Sequence, residues 1–337
     1  MAIYHLSVKT VSRSTGRSAT GAAAYRAGVE IVDERTGLVH DYTRRSGVVS
    51  ADLTIPTNAP AWASDRSKLW NTVEMSETRK NSTVAREFEL ALPDELTPEQ
   101  RRQLVVTFAR ELVDRHGIAV DAAIHLPDRE GDNRNHHAHV LTSTRRLGPD
   151  GFGEKARELD DRKTGPELVG QWRERWAELT NQALERAGER GRVDHRSLAA
   201  QRSAALAAGD QERADQFDRA PTPHLGPVPS ADLRRARKKA EEPQTDRARQ
   251  FVQVEAENHQ RQTLLTRLRR FGRWVQEGLE EAALDLRQVV QDTRDYLRTL
   301  KEAAQDFRKV VKQERELEKR TIEHAPYVHK PKLGFER

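Results

Sequence analysis

Two histidines two residues apart, His137-Ala138-His139, with His125 twelve residues before the first, constrain this chain more than any other feature. On a β-strand, a spacing of two puts both imidazoles on one face and sends Ala138 and Val140 into a core on the other. The preceding Asp121-Ala122-Ala123-Ile124-His125-Leu126 also reads as a strand. Between the two lies Pro127-Asp128-Arg129-Glu130-Gly131-Asp132-Asn133-Arg134, rich in turn residues. A hairpin closed by this loop brings His125 across from His137 and His139. Three convergent imidazoles without a thiolate make an open divalent-metal site, with room left for substrate or water. His136 is out of phase and is expected to point away.

The 337 residues suffice for one large domain or two. Charged residues make up 33% and apolar ones 36%, too polar for one compact core throughout, so a folded part and an extended, solvated part are expected. Lys and Arg number 58 against 53 Asp and Glu, a net charge of +5. That excess suits nucleic acid, and equally suits helices laced with ion pairs. There is no cysteine, which excludes disulfides, zinc–thiolate sites and cysteine nucleophiles. The opening Met1-Ala2-Ile3-Tyr4-His5-Leu6 lacks the apolar core of a signal peptide, and no apolar run approaches the roughly 18–20 residues that cross a bilayer. The expectation is a cytoplasmic protein without stable membrane insertion.

Along the chain, residues 1–9 alternate as a strand and Ser14 to Ser18 form a loop. Ala19 to Ala27 reads as a short helix stopped by Gly28, and Val29 to Asp41 as a hairpin around Thr36-Gly37. Pro60 to Val73 looks helical, and Val84 to Leu92 alternates as a strand ended by Pro93. Thr97 caps a helix with Pro98 in its first position, running to about Arg115. Strands mixed with helices predict an α+β class, an antiparallel β-sheet flanked by helices. After Gly153 the sequence turns helical, with Leu168, Trp172, Trp176, Leu179 and Leu184 at helical spacing. Prolines between 221 and 229 and the basic run Arg234 to Lys239 mark a linker over 228–245. From about Asp246 to Arg320 a nearly unbroken helix is expected, with Ala282, Leu286, Val289, Leu297, Leu300, Ala304, Phe307 and Val311 recurring at threes and fours, an amphipathic or coiled-coil pattern. The organisation is thus a domain over 1–227, the linker, and a charged helical C-terminal region over 246–337.

Several further residues carry chemistry. Tyr25 sits behind Ala22, Ala23 and Ala24, whose small side chains allow a bulky partner close; the alternative is that it packs on the core. Glu87 and Glu89 share a strand face opposite Phe88 and Leu90. If that is the histidine face, these carboxylates orient the imidazoles, help hold a metal or accept a proton. Asp33, Glu34 and Asp41 are acids near the first hairpin. Arg13, Arg17 and Arg26 are candidates for phosphate contact, among scattered cations that include Arg44, Arg45, Arg145 and Arg146.

Together these stretches resemble a known family. Ala2-Ile3-Tyr4-His5-Leu6-Ser7, Ser12-Arg13-Ser14, Ser18-Ala19 leading to Ala24-Tyr25, Glu87-Phe88-Glu89-Leu90-Ala91-Leu92-Pro93, Ala123-Ile124-His125 and His137-Ala138-His139 are similar to the MobA/MobL plasmid mobilisation relaxases. So are Trp176 to Ala187 and Asp194-His195-Arg196-Ser197-Leu198. The resemblance covers residues 1–227 and does not extend past about 230. It implies an HUH endonuclease with a ferredoxin-like core, which nicks and rejoins single-stranded DNA at an origin of transfer through a 5′-phosphotyrosine. It implies Tyr25 as nucleophile, Glu87 and Glu89 as acids near the site, and His125, His137 and His139 as ligands of Mg²⁺ or Mn²⁺; Zn²⁺ or Ni²⁺ would also bind such a set. Relaxosome accessory proteins and a type IV secretion coupling protein are the implied partners, with the C-terminal helix free for docking or self-association. The competing readings are a rolling-circle initiator of the same superfamily, a non-catalytic DNA-binding accessory, and a metal hydrolase that uses water. The initiator is disfavoured because Tyr296 and Tyr327, the tyrosines downstream of the histidines, lie in the charged tail.

Overall fold

In the computed structural model, the described residues are 3–127, 133–281, 293–306, 308–309 and 313. They divide into two compact units, one up to Gln201 and one from Arg202 onward. The first unit holds the sheet. Its elements are β1 (Leu6–Ser12), α1 (Ala19–Ala27), β2 (Glu30–Asp33), β3 (Leu38–Asp41), β4 (Val48–Thr54), α2 (Arg66–Ser76), β5 (Thr83–Ala91), α3 (Pro98–His116), β6 (Ile118–His125), β7 (His137–Gly148), β8 (Gly151–Lys155) and α4 (Gly165–Arg186). Strands pair antiparallel in the order β1-β5-β7-β6-β4, with β8 added to β7, while β2 and β3 make a separate hairpin.

Strand alternation gives each face of this sheet its own core. Leu6, Phe88, Leu90, Val120, Ala122, Ile124, Ala138 and Val140 meet Leu104, Phe108 and Leu112 of α3 and Trp172, Trp176 and Leu184 of α4. Phe108 stacks edge-on against Phe88, Trp172 and Trp176 at centroid distances of 6.0, 5.4 and 5.2 Å, the arrangement aromatic quadrupoles favour. The opposite face carries Val11, Ala85, Ala119 and Leu141, covered by Ala19, Ala23 and Ala24 of α1 and Leu69, Trp70 and Val73 of α2. The sheet is therefore flanked by helices on both sides, the expected α+β arrangement. The alanines let α1 lie close to the strands.

Local chemistry fixes the helix ends. Thr97 and Gln100 close a reciprocal capping box at the start of α3, with Pro98 in the first turn. Ser18 caps α1 by accepting from the Gly21 N–H, and Gly28 ends it in the left-handed conformation at φ 66°.

Some elements differ from the sequence reading. β1 begins at Leu6, where pairing with Leu90 starts, rather than at the first residue. β4 lies beside β6 and has no counterpart in the sequence reading, and β8 occupies residues expected to begin the helical region. The second unit contains α6 (Gln211–Phe217), α7 (Pro227–Lys239) and α8 (Asp246–Glu281); α5 (Leu198–Ala207) precedes them. Thus the expected linker 228–245 carries a helix. Its prolines fall in the first turn, where a missing N–H costs nothing, and Arg237, Lys238 and Lys239 occupy the last turn, where the helix dipole welcomes positive charge. The helix expected from 246 is present over α8 and again over 293–306. The apolar-repeat residues Ala282, Leu286, Val289, Phe307 and Val311, the downstream Tyr327, and Asp128 to Asp132 of the hairpin loop lie outside the described residues.

Candidate metal and nucleophile site

β6 and β7 form the expected hairpin, with His125 directly opposite His137. Their shared face also carries His139, which sits opposite Ala123 on one side and Glu89 on the other. One ring nitrogen from each of His125, His137 and His139 lies within 4.8 Å of the others, and the ring centroids are 4.8–5.5 Å apart. His136 points elsewhere, its Nε2 lying 3.3 Å from Asp94.

Each imidazole is held by its other nitrogen. His125 Nε2 donates to the Arg26 carbonyl at 2.8 Å, His137 Nδ1 to the Asn135 carbonyl at 3.0 Å, and His139 Nδ1 to Glu87 Oε1 at 2.6 Å. These bonds fix the tautomers: the proton sits on the anchored nitrogen, so Nδ1 of His125 and Nε2 of His137 and His139 keep their lone pairs. Burial lowers the His125 pKa to about 4 despite the Arg26 carbonyl, and burial likewise lowers that of His137. Both rings are neutral at pH 7, the state a cation requires. Three converging ring nitrogens, each ring oriented by a hydrogen bond from its other nitrogen, fit a divalent metal.

Glu87 is nearly buried and fully engaged. Arg26 Nε donates to its Oε1 at 2.7 Å and Arg26 Nη2 to its Oε2 at 2.5 Å, while His139 shares Oε1. Burial pushes this carboxyl up, but the His139 and Arg26 donors outweigh it and bring it to about 2. Such a group orients an imidazole and is a poor acceptor for a phenol proton. Glu89 is on the same face and pairs with Lys9, which overrides burial and keeps the carboxyl below its ordinary range. Asp33 is equally committed: one oxygen accepts from Thr20 Oγ1 at 2.6 Å and the other from Thr36.

Tyr25 projects from the last turn of α1 with 44% of its surface exposed, so it does not pack into the core. Tyr42 meets its ring edge-on at 5.2 Å. The Arg45 guanidinium lies 3.6 Å from the ring centre, and its Nη1 donates to the Tyr25 carbonyl at 2.9 Å. The sequence reading carried Arg45 only as one of several scattered cations, and nothing in it marked Tyr42.

The three arginines expected to meet phosphate differ. Arg13, with 8% of its side chain exposed, donates to the Glu74 carboxylate and to the carbonyls of Glu74, Glu77 and Arg79, tying β1 to the end of α2. Arg26 is bound to Glu87 and to the Ala22 carbonyl. Arg17 alone is exposed, on the loop before α1.

Residues 17–235 match the model of the MobA/MobL family. The mobilization protein MobL of Acidithiobacillus ferridurans is 42% identical over 88% of this chain and 80% of its own length. The conjugal transfer protein TraA of Agrobacterium fabrum is 32% identical over 77% of this chain, which spans 24% of that longer protein. A solved structure described as the molecular basis of vancomycin resistance transfer in Staphylococcus aureus superposes with a TM-score of 0.52 and 33% identity, over 58% of this chain and all of the other.

Proposed function

The chain belongs to the MobA/MobL family, and from that premise we propose that it nicks and rejoins single-stranded DNA at a plasmid origin of transfer, with Tyr25 as the nucleophile. The observation that carries this reading is the convergence of three anchored imidazoles on one sheet face, one of them held by the carbonyl of Arg26, the residue after Tyr25. The tyrosine and the histidines are thereby joined through the last turn of α1. All the proposed catalytic residues lie in the unit up to Gln201, and we assign nicking to residues 1–227.

His125, His137 and His139 would hold a divalent cation, Mg²⁺ or Mn²⁺, which supplies Lewis-acid polarisation of a non-bridging phosphate oxygen. The Tyr25 phenol oxygen forms a bond to phosphorus as the bond from phosphorus to the 3′ oxygen breaks. The phenol gives up its proton and the departing 3′ oxygen gains one, leaving a 3′-OH and a 5′-phosphotyrosine. Rejoining is the reverse attack. Glu87 and Arg26 keep His139 and His125 in place throughout, and Glu89 with Lys9 borders the same face. The name of the TraA relative supports a setting in conjugal transfer; accessory proteins at the origin and a type IV coupling protein are the partners this role calls for. No helix among the described residues is long and apolar enough to cross a membrane.

The test is mass spectrometry of protein incubated with Mn²⁺ and single-stranded origin DNA. Wild type should gain a nucleotide adduct on Tyr25, and Tyr25→Phe should gain none. An adduct on another residue would reject the nucleophile. A cut strand with a free 5′-phosphate and no adduct would favour water-using hydrolysis, and binding without cleavage a DNA-binding accessory.

A further inference from the structure

A tyrosine attacking a phosphodiester needs a cation on the phosphate, and the arginines expected from the sequence do not supply one at Tyr25. Arg13 and Arg26 each face a buried carboxylate that neutralises them. Arg17 precedes the N-cap of α1, whereas Tyr25 stands in its last turn, so the helix rise separates the two by ~10 Å along the axis.

Arg45 is different. Its loop is stitched to both halves of the site. The Arg45 N–H donates to the Tyr42 carbonyl at 3.0 Å, the Gly47 carbonyl accepts from the Leu126 N–H at 2.8 Å, and Val48 pairs with His125 in the sheet. The guanidinium lies over the Tyr25 ring, and its positive charge reaches His125 and His137. One donor is spent on a neutral carbonyl. Among the described residues no carboxylate pairs with it and only Nη1 is hydrogen-bonded, which leaves Nε and Nη2 open to an anion. Guanidinium presents these two N–H groups as a planar fork that matches two oxygens of one phosphate.

We propose that Arg45 is a catalytic residue that grips the scissile phosphate through Nε and Nη2, holding it between the Tyr25 oxygen and the three histidines. This rests on the nicking reading above. The carbonyl bond and the ring stacking set the guanidinium in place before DNA arrives. Its contact strengthens as negative charge builds on the non-bridging oxygens during attack. Tyr42 braces the Tyr25 ring from its edge.

The experiment compares single-turnover adduct formation by wild type, Arg45→Met and Arg45→Lys on two oligonucleotides that carry the mapped nick site. One has the native phosphodiester; the other has a neutral methylphosphonate at the scissile position. On the phosphodiester, Arg45→Met should lose about 100- to 1,000-fold in rate, the loss typical of removing one donor to a developing oxyanion. Arg45→Lys should recover part of it. On the methylphosphonate, wild type and Arg45→Met should differ by only a few fold, because the charge that Arg45 answers is gone. Mn²⁺ affinity of Arg45→Met should stay within about twofold of wild type, as expected for a residue that leaves the anchored imidazoles alone. Equal losses on both oligonucleotides, or weakened Mn²⁺ binding, would make Arg45 a structural brace; a wild-type rate in Arg45→Met would remove it from the reaction. A wild-type protein that forms no Tyr25 adduct would overturn the nicking reading itself, and Arg45 with it.

Discussion

Arg26 grips Glu87 with two nitrogens, Nε at 2.7 Å and Nη2 at 2.5 Å, while its own carbonyl accepts from His125. One residue thus orients two imidazoles, His125 through its backbone and His139 through Glu87. It also adjoins Tyr25, so any shift of the last turn of α1 moves the nucleophile and two nitrogens of the metal set together. The forked pair has little exposure, with 12% of the Arg26 side chain and 5% of that of Glu87 reaching solvent. Removing one partner strands the other as an uncompensated buried charge.

Glu87→Gln and Arg26→Gln should therefore each weaken Mn²⁺ binding by about 10- to 100-fold, the usual cost of losing an outer hydrogen-bond partner to a ligating histidine. Arg26→Lys keeps the charge but loses the fork, and should fall between wild type and Arg26→Gln. Calorimetric titration with Mn²⁺ checks this. The double variant should cost less than the sum of the singles, because the pair acts as one unit. Additive losses would mean that Arg26 and Glu87 act separately.

Much of this arrangement is legible in the sequence. The alternation His137-Ala138-His139, the turn-rich segment before it and Ala123-Ile124-His125 suffice to place three imidazoles on one face, since a strand's side-chain period is fixed at two. Helix α1 is legible in its span from Ala19 to Ala27 and in its Gly28 stop, while its cap, Ser18, read only as the end of a loop. What periodicity does not convey is which polar groups find one another across long separations. Arg26 and Glu87 are 61 residues apart and Arg13 and Glu74 are equally distant, so a sequence reading sees exposed cations where folding makes buried pairs. Arg45 reaches Tyr25 from a loop, and loop geometry leaves no periodic trace. Pro227 and Pro229 show a different limit: the residue that breaks a helix inside also begins one, and only position decides.

Gly28 should be sensitive to any side chain. At φ 66° any residue with a Cβ would carry the left-handed penalty that glycine escapes, and that Cβ would come within 3.1 Å of Val48 Cγ2. Gly28→Ala is expected to cost about 1–2 kcal/mol in urea unfolding. Val48→Ala in the same chain should recover the steric part of that loss and leave the backbone part. A Gly28→Ala protein as stable as wild type would mean that α1 ends differently in solution.

Occupancy of the histidine set should couple to stability. A ligand that binds only the folded state stabilises it in proportion to the logarithm of its concentration over its Kd, about 2.7 kcal/mol at a hundredfold excess. Adding Mn²⁺ at that excess should raise the melting temperature of the first unit, and a chelator should return it. His137→Ala should abolish the shift while leaving the core on the opposite face of the sheet intact, since among the described residues the His137 ring hydrogen-bonds only to the Asn135 carbonyl and lies on the other face from that core. An undiminished Mn²⁺ shift in His137→Ala would locate the binding elsewhere.

Acid sensitivity should also arise far from the imidazole cluster, at His116. This ring is almost wholly buried; its Nε2 accepts from Trp172 Nε1 at 3.0 Å and its Nδ1 donates to Glu158 at 2.9 Å. Burial lowers its pKa below the ordinary 6.5, Arg115 and Arg86 add to that, and Glu158, itself paired with Arg146, opposes it. The unfolded chain therefore takes up the proton at a higher pH than the folded one does. Stability from this group is complete above about 6.5, declines as pH drops below that value, and is lost once pH passes the lowered folded value. Protonating Nε2 would also set an N–H against the Trp172 N–H. Urea unfolding followed by tryptophan fluorescence should show wild type weakening from pH 7 toward pH 5, and His116→Gln, which does not titrate, should show a flatter slope in that window. An identical slope in both proteins would move the acid sensitivity to another group.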